Sequence, residues 1–208
     1  LSGITAATAL PPGVSIGKDT SGNFDGSIRG FAGQTLAERS FPKQSFDDKV
    51  EGLRLVMRDF NAAGLTSTGE TFGIGVAEDD YQVLFEAWRR RQMSLRVALH
   101  FPTMNFEHAQ RWLDYPAAGF GDDMLRFGGL GERITAAMNN NPRPTDEQKQ
   151  KYFEIVKWAA ERGLTLTMHW NNDASVGTLL DIFERVNTET PIANLRWSIA
   201  HLNDASDA

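Results

Sequence analysis

Two histidines close two successive strand-like runs, residues 164–169 ending in His169 and residues 195–201 ending in His201. A helical segment lies between them. Strands of a parallel α/β sheet deliver their C-terminal ends to one rim, and that rim is where such folds keep their chemistry. Both imidazoles are therefore expected over a common cavity. Three other strand-like runs close on Glu70, His100 and Glu132, all groups that bind metal or move protons. Imidazole and carboxylate together suit zinc and similar divalent ions. A hydrolytic site of this kind keeps one position open for a water, lowers its pKa to about 7 and polarises the carbonyl under attack. Each residue alone has a plainer reading: His100 as a hydrogen-bonded histidine, Glu70 and Glu132 as solvated loop carboxylates. The pair on consecutive strands tips the reading towards a metal. The fourth histidine, His108, falls in a helix-like segment and reads as structural or exposed.

These groups need a scaffold. Ser45 can cap a helix with Asp47 and Asp48 in its first turn and Val50, Leu53, Met57 and Phe60 at helical spacing, ended by Gly64. A short strand, 65–68, runs into Gly69-Glu70. Asp79 or Asp80 is expected to cap the next helix, which carries Tyr81, Leu84, Phe85 and Trp88 ahead of a strand over 94–101. A less regular helix spans 105–113, and 124–130 is the next strand. Thr145 and Gln148 form a capping-box pattern before a helix lined by Tyr152, Ile155, Val156 and Ala159 and stopped by Gly163. A helix over 174–186 precedes the last strand. Trp88, Trp112, Trp158 and Trp197 suit packing, whereas Trp170 and Asn171-Asn172-Asp173 follow His169 directly and either line a pocket or cap the next helix, Asp173 being the cap.

About five helix–strand units imply a parallel sheet with helices outside it. Both a (β/α)8 barrel and an open doubly wound sheet satisfy the pattern. No Gly-x-Gly-x-x-Gly follows a strand and no Walker-type loop is present, so nucleotide binding lacks support. Residues 1–44, rich in Gly, Pro and Ser, read as an excursion or insert, and 45–208 as the barrel segment.

Bulk properties narrow the classes further. Lys and Arg number 21 against 27 Asp and Glu, a net charge of −6, which argues against nucleic-acid or anionic-membrane partners. The chain has no cysteine, which excludes disulfides, thiolate zinc sites and cysteine nucleophiles. No apolar run approaches the roughly 20 residues of a membrane span and no signal peptide is visible. A cytoplasmic and a periplasmic location both stay open.

Taken in order, Gly64-Leu65-Thr66-Ser67-Thr68, the stretch from Gly121-Asp122-Asp123 through Arg126-Phe127-Gly128-Gly129, the strand of His169 and the run Arg196…His201 resemble amidohydrolase family 3. These are metal-dependent hydrolases, among them N-substituted formamide deformylase-like enzymes. The pattern Pro11-Pro12-Gly13…Asp19…Gly22…Gly26 is similar to the segment that precedes their core. The resemblance implies a TIM-type (β/α)8 barrel with one or two divalent ions, zinc first among them, at its C-terminal rim. It further implies a small amide-type substrate whose C–N bond is cleaved by metal-activated water. His169 and His201 match the family's fifth- and sixth-strand ligands. The carboxylated lysine of the fourth strand has no counterpart, and Glu132 stands there as a carboxylate able to bridge. Glu70, His100 and Trp170 would border the substrate pocket.

The family's first-strand His-x-His and eighth-strand aspartate are absent from the sequence. The chain is therefore expected to be the centre of a longer enzyme, about five units of eight, inactive alone, with its catalytic aspartate elsewhere. Two other readings stand beside this one. One is a non-catalytic half-barrel that binds a partner or self-associates through exposed strand edges; the other is a metal-free lyase on the same scaffold.

Overall fold

The computed structural model describes residues 3–203 apart from 6, 40, 74, 75, 77, 102, 104, 105, 114–117, 136 and 172. The chain forms two compact units, Leu1–Asp48 and Lys49–Ala208. The first holds an antiparallel hairpin, β1 (Ser15–Lys18) and β2 (Phe24–Arg29), followed by helix α1 (Phe31–Glu38). Asp19 makes the hairpin turn: its Oδ1 accepts from the backbone N–H groups of Ser21 and Asn23, both at 2.9 Å.

From there the elements alternate: α2 (Phe46–Ala62), β3 (Ser67–Glu70), α3 (Tyr81–Arg89), β4 (Arg96–Phe101), α4 (Phe106–Leu113), β5 (Leu125–Leu130), α5 (Asp146–Glu161), β6 (Thr165–Trp170), α6 (Asp173–Glu189) and β7 (Ser198–His201). The five strands pair in parallel in the order β3-β4-β5-β6-β7, a curled half-barrel. Strand order follows chain order with no reversal, which rules out the doubly wound alternative, whose sheet reverses at a switch point.

The helix starts show where local sequence sets structure. Thr145 and Gln148 close a reciprocal capping box: Gln148 N–H donates to Thr145 Oγ1 at 3.3 Å, and Thr145 N–H donates to Gln148 Oε1 at 2.9 Å. Ser45 and Asp48 make the equivalent pair at the head of α2. Thr145→Ala is expected to lower stability by about 1 kcal/mol, measured as a shifted urea midpoint at unchanged slope. Gly64 and Gly163 end α2 and α5 with φ of 84° and 66°, the left-handed conformation that stops a helix. The expected cap of α3 is different. Asp80 sits at the N-cap position in helical conformation and its side chain makes no cap bond. A 3-10 turn, Glu78–Asp80, leads into the helix instead, and the Asp80 carboxylate pairs with Lys49 Nζ at 3.3 Å.

Packing follows strand alternation. Leu166, Met168 and Trp170 are fully buried in one cluster with Tyr152, Val156, Leu179 and Val186 of the helices outside. Val97, Leu99 and Leu125 do the same with Met57, Tyr81 and Leu84. Thr167 and His169, the alternate residues of β6, face the inside of the curl. Trp197 packs edge-on against Phe183, ring centres 5.0 Å apart, and its Nε1 donates to the Leu164 carbonyl. Trp88 departs from the packing role expected of it: it is 42% exposed and tethers Asp122 through Nε1 at 2.7 Å. The side chains of Trp112, His108 and Asp173 lie outside the described residues. Among the described residues no helix is long and apolar enough to cross a membrane.

Two local irregularities shape the rim. β5 carries one extra residue, so the pairing moves from Leu99↔Phe127 to His100↔Gly129 and leaves Gly128 as a bulge. The His100 ring lies against that bulge, where a Cβ on Gly128 would come within 2.8 Å of His100 Cε1. β7 starts at Ser198 rather than at 195, because Arg196 adopts a φ of 53° that breaks the extended run.

Candidate metal centre

Glu132 follows β5 and is held by its backbone on both sides. Its N–H donates to the Thr71 carbonyl at 2.8 Å, and its own carbonyl accepts from His169 N–H at 3.0 Å. These two bonds place the Glu132 carboxylate, 7% exposed, beside the His169 ring, 9% exposed, with Oε1 3.6 Å from Nδ1. That Nδ1 is buried and has no hydrogen-bond partner among the described residues.

His201 reaches the same point by a different route. Its register partner is Trp170, so simple alternation would turn its side chain towards the helices, as it does Ile199 opposite Met168. His201 and Leu202 instead have φ of 75° and 42°. A left-handed bend at non-glycine residues is a strained feature that concentrates at functional sites. It brings the His201 ring to 4.4 Å from that of His169, centre to centre, and its Nε2 to 3.0 Å from Glu132 Oε2. His201 is the solvent-facing member, 43% exposed.

The three residues offer two imidazole nitrogens and a carboxylate oxygen within 4.8 Å of one another. Bonds of about 2 Å in a tetrahedron put ligand atoms roughly 3.3 Å apart, so the observed spacing suits a divalent ion after small side-chain adjustments. The orphaned His169 nitrogen, which would otherwise carry a desolvation cost, makes the same case. Donor set and geometry thus fit a zinc-type ion.

Glu70, His100 and Trp170 do not join this group. Glu70 is half-buried at the end of β3, and its Oε1 accepts from Phe72 N–H at 2.9 Å. His100 is buried, with Nδ1 3.3 Å from the Ala98 carbonyl. Burial pushes its pKa down, partly offset by the hydrogen bonds its ring makes to the backbone of Ala98 and Glu70. Tyr81 donates to the His100 carbonyl at 2.7 Å, and its phenol is pushed up by burial first and by the nearby Glu70 charge second. Trp170 is fully buried on the helix side. Sequence reasoning did not find the turn at Phe72 or the role of Asn140, whose Oδ1 accepts from Asn171 N–H at 2.7 Å just beyond β6. The run Asn139-Asn140-Asn141 was the available signal, since Asn tolerates the φ of 53° that Asn140 adopts.

Fold and site together define a parallel α/β half-barrel with a histidine–carboxylate cluster at its rim. Residues 1–205 match the amidohydrolase family model, and the chain belongs to that family. Two solved structures are similar to it. A crystal structure of an uncharacterized metal-dependent hydrolase from Pyrococcus horikoshii OT3 has 17% identity and a TM-score of 0.53, covering 85% of this chain and 38% of its own. A second, an uncharacterized metal-dependent hydrolase from Pyrococcus furiosus, has the same identity and TM-score and covers 83% and 42%. The chain thus spans less than half the length of either neighbour. No curated protein matches it.

Proposed function

We propose that this chain is the metal-holding half of an amidohydrolase that cleaves a C–N bond in a small amide-type substrate. The observation that carries the reading is the convergence of Glu132, His169 and His201 on one point, with the His169 Nδ1 left unpaired among the described residues. Family membership and the description of the two structural neighbours as metal-dependent hydrolases support it.

His169, His201 and Glu132 would hold zinc or a similar divalent ion. Such an ion supplies Lewis acidity for a carbonyl and a water acidified towards neutrality. The chain's own contribution is positioning. Glu132 brings the negative charge that offsets a dication and, with two oxygens at 3.0 and 3.6 Å from the two imidazoles, orients both rings. His169, packed and buried, fixes the inner side of the site. Substrate would enter over His201, the exposed member of the cluster, with Glu70, His100 and Trp170 proposed to border its pocket. The proton-shuttling aspartate is taken to lie outside these 208 residues, so the chain by itself is expected to hydrolyse amides poorly.

Zinc titration of the purified chain by calorimetry tests this. Weak binding of about one zinc per chain is expected, lost in His169→Ala and in His201→Ala. A wild-type chain that binds no zinc, or variants that bind it equally well, would defeat the metal-centre reading. Sedimentation at high concentration addresses β3 and β7, the outer strands of the sheet among the described residues: concentration-dependent association is expected if they recruit further strands.

A further inference from the structure

We infer that Glu70 is a positioning residue for the Glu132 carboxylate, acting through the left-handed turn at Phe72, and is not itself a ligand. This rests on the metal-centre reading of Glu132, His169 and His201.

Phe72 has a φ of 58°, a conformation that bulky side chains avoid and that persists only where the surroundings enforce it. Two contacts enforce it. The Glu70 carboxylate reaches forward to accept from Phe72 N–H at 2.9 Å. The Phe72 ring is buried edge-on against Tyr81, centres 5.4 Å apart. The far side of this turn is a seat for Glu132. The Thr71 carbonyl, one residue before Phe72, accepts from Glu132 N–H at 2.8 Å. Gly131 lies so close beneath it that a Cβ there would come within 2.3 Å of the Thr71 oxygen. At Gly73 a Cβ would stand 3.4 Å from Glu132 Oε1, so this turn runs alongside the carboxylate. Glu132 then passes the placement to His169 through its own carbonyl.

The route from β3 to the ligands therefore runs Glu70, Phe72, Thr71, Glu132, His169. It needs an acceptor oxygen at position 70 and no negative charge, because the donor is a neutral amide. Glutamine at this position can make the same bond; alanine cannot.

Glu70→Ala and Glu70→Gln test the assignment by two readouts, site-resolved amide hydrogen exchange and zinc affinity in competition with a chelator. In E70A the Phe72 and Glu132 amides are expected to exchange about tenfold faster or more. Leu166 in the core stays protected, and zinc affinity falls about ten- to a hundredfold, the usual range for a residue that supports a ligand. E70Q is expected to track the wild type in both. Glu132 exchange unchanged in E70A overturns the inference, and so does E70Q binding zinc as weakly as E70A, which would make position 70 a ligand or charge partner. Faster exchange in E70A combined with no zinc binding by the wild type keeps the seat and sinks the metal-centre reading instead. If E70A does not fold, Glu70→Leu, which keeps the bulk of the side chain but offers no acceptor, carries the test. Faster Phe72 and Glu132 exchange and weaker zinc binding than in E70Q are expected, and exchange and affinity equal to E70Q overturn the inference.

Discussion

Replacing Glu132 with alanine is expected to lower zinc affinity at least about a hundredfold while leaving the metal-free chain as stable as before, or more so. The first half follows from ligand count. A supporting residue around a metal is worth about ten- to a hundredfold, and Glu132 is one of the three proposed ligands and, among the described residues, the anionic one of the cluster. The second half follows from burial. A carboxylate 7% exposed beside two imidazoles gives up most of its hydration, and an alanine there carries no such cost. Removing it also frees His201 Nε2, but that ring is 43% exposed and water can take over the bond. The two halves make a paired result in calorimetry. Wild type melts higher with excess zinc than without it, because an ion that binds only the folded state stabilises by mass action. E132A shows almost no such shift and a metal-free midpoint equal to or above wild type. Glu132→Gln separates charge from shape: it can still accept from His201, yet without the charge most of the zinc shift disappears. A metal-free E132A that melts far below wild type would instead make Glu132 a structural keystone and weaken the metal assignment.

Much of this site is readable in the sequence, and the reason is topological. In a parallel sheet the rim is defined by where strands stop, so residues that end strands can be found without knowing how strands pair. His169 and Glu132 are found that way. His201 is found for an incomplete reason. In the sequence its run reads Leu195, Trp197, Ile199, His201 on one parity, and Trp197 and Ile199 do pack with the helix-side cluster although β7 itself starts at Ser198. Alternation alone would send His201 the same way, and only the positive φ at 201 and 202 returns it to the rim. No feature of an isolated strand reports a bend at its last residue. The capping box at Thr145 and the stops at Gly64 and Gly163 are legible because they are local: each depends on atoms within a few residues. The failure at Asp80 is of the opposite kind. An acidic residue before an apolar run reads as a cap, but a carboxylate also satisfies itself on a distant lysine, here Lys49. Glu70 reads in the sequence as a pocket residue; its observed partner is an amide two residues along, at a φ that sequence gives no cause to expect for phenylalanine.

The Gly128-Gly129 pair carries part of the family resemblance, and its physical role yields the largest stability effect expected of this chain. Gly129→Ala is expected to destabilise it by more than about 4 kcal/mol, beyond the range of ordinary substitutions and comparable to the whole stability of many domains. A Cβ at 129 would lie 1.9 Å from the Thr165 carbonyl oxygen and 2.6 Å from its carbon. Both belong to the backbone, so no side chain can swing away. The contact falls at the seam of the sheet: β5 and β6 pair only through Gly129↔Thr165 and Leu130↔Leu166. Relief therefore requires β6 to move away from β5, and β6 carries His169 while Glu132 follows β5. The same substitution at Gly177 is the control. It lies within α6, with nothing within 4 Å of an added methyl, so G177A is expected to stabilise by roughly 0.5–1 kcal/mol through the lost backbone entropy of glycine. Urea titrations of the two variants should move in opposite directions from wild type, and zinc binding should disappear in G129A under conditions where G177A retains it. A G129A chain with near-wild-type stability would mean that β5 and β6 do not approach this closely, and the shared point of Glu132 and His169 would go with that approach.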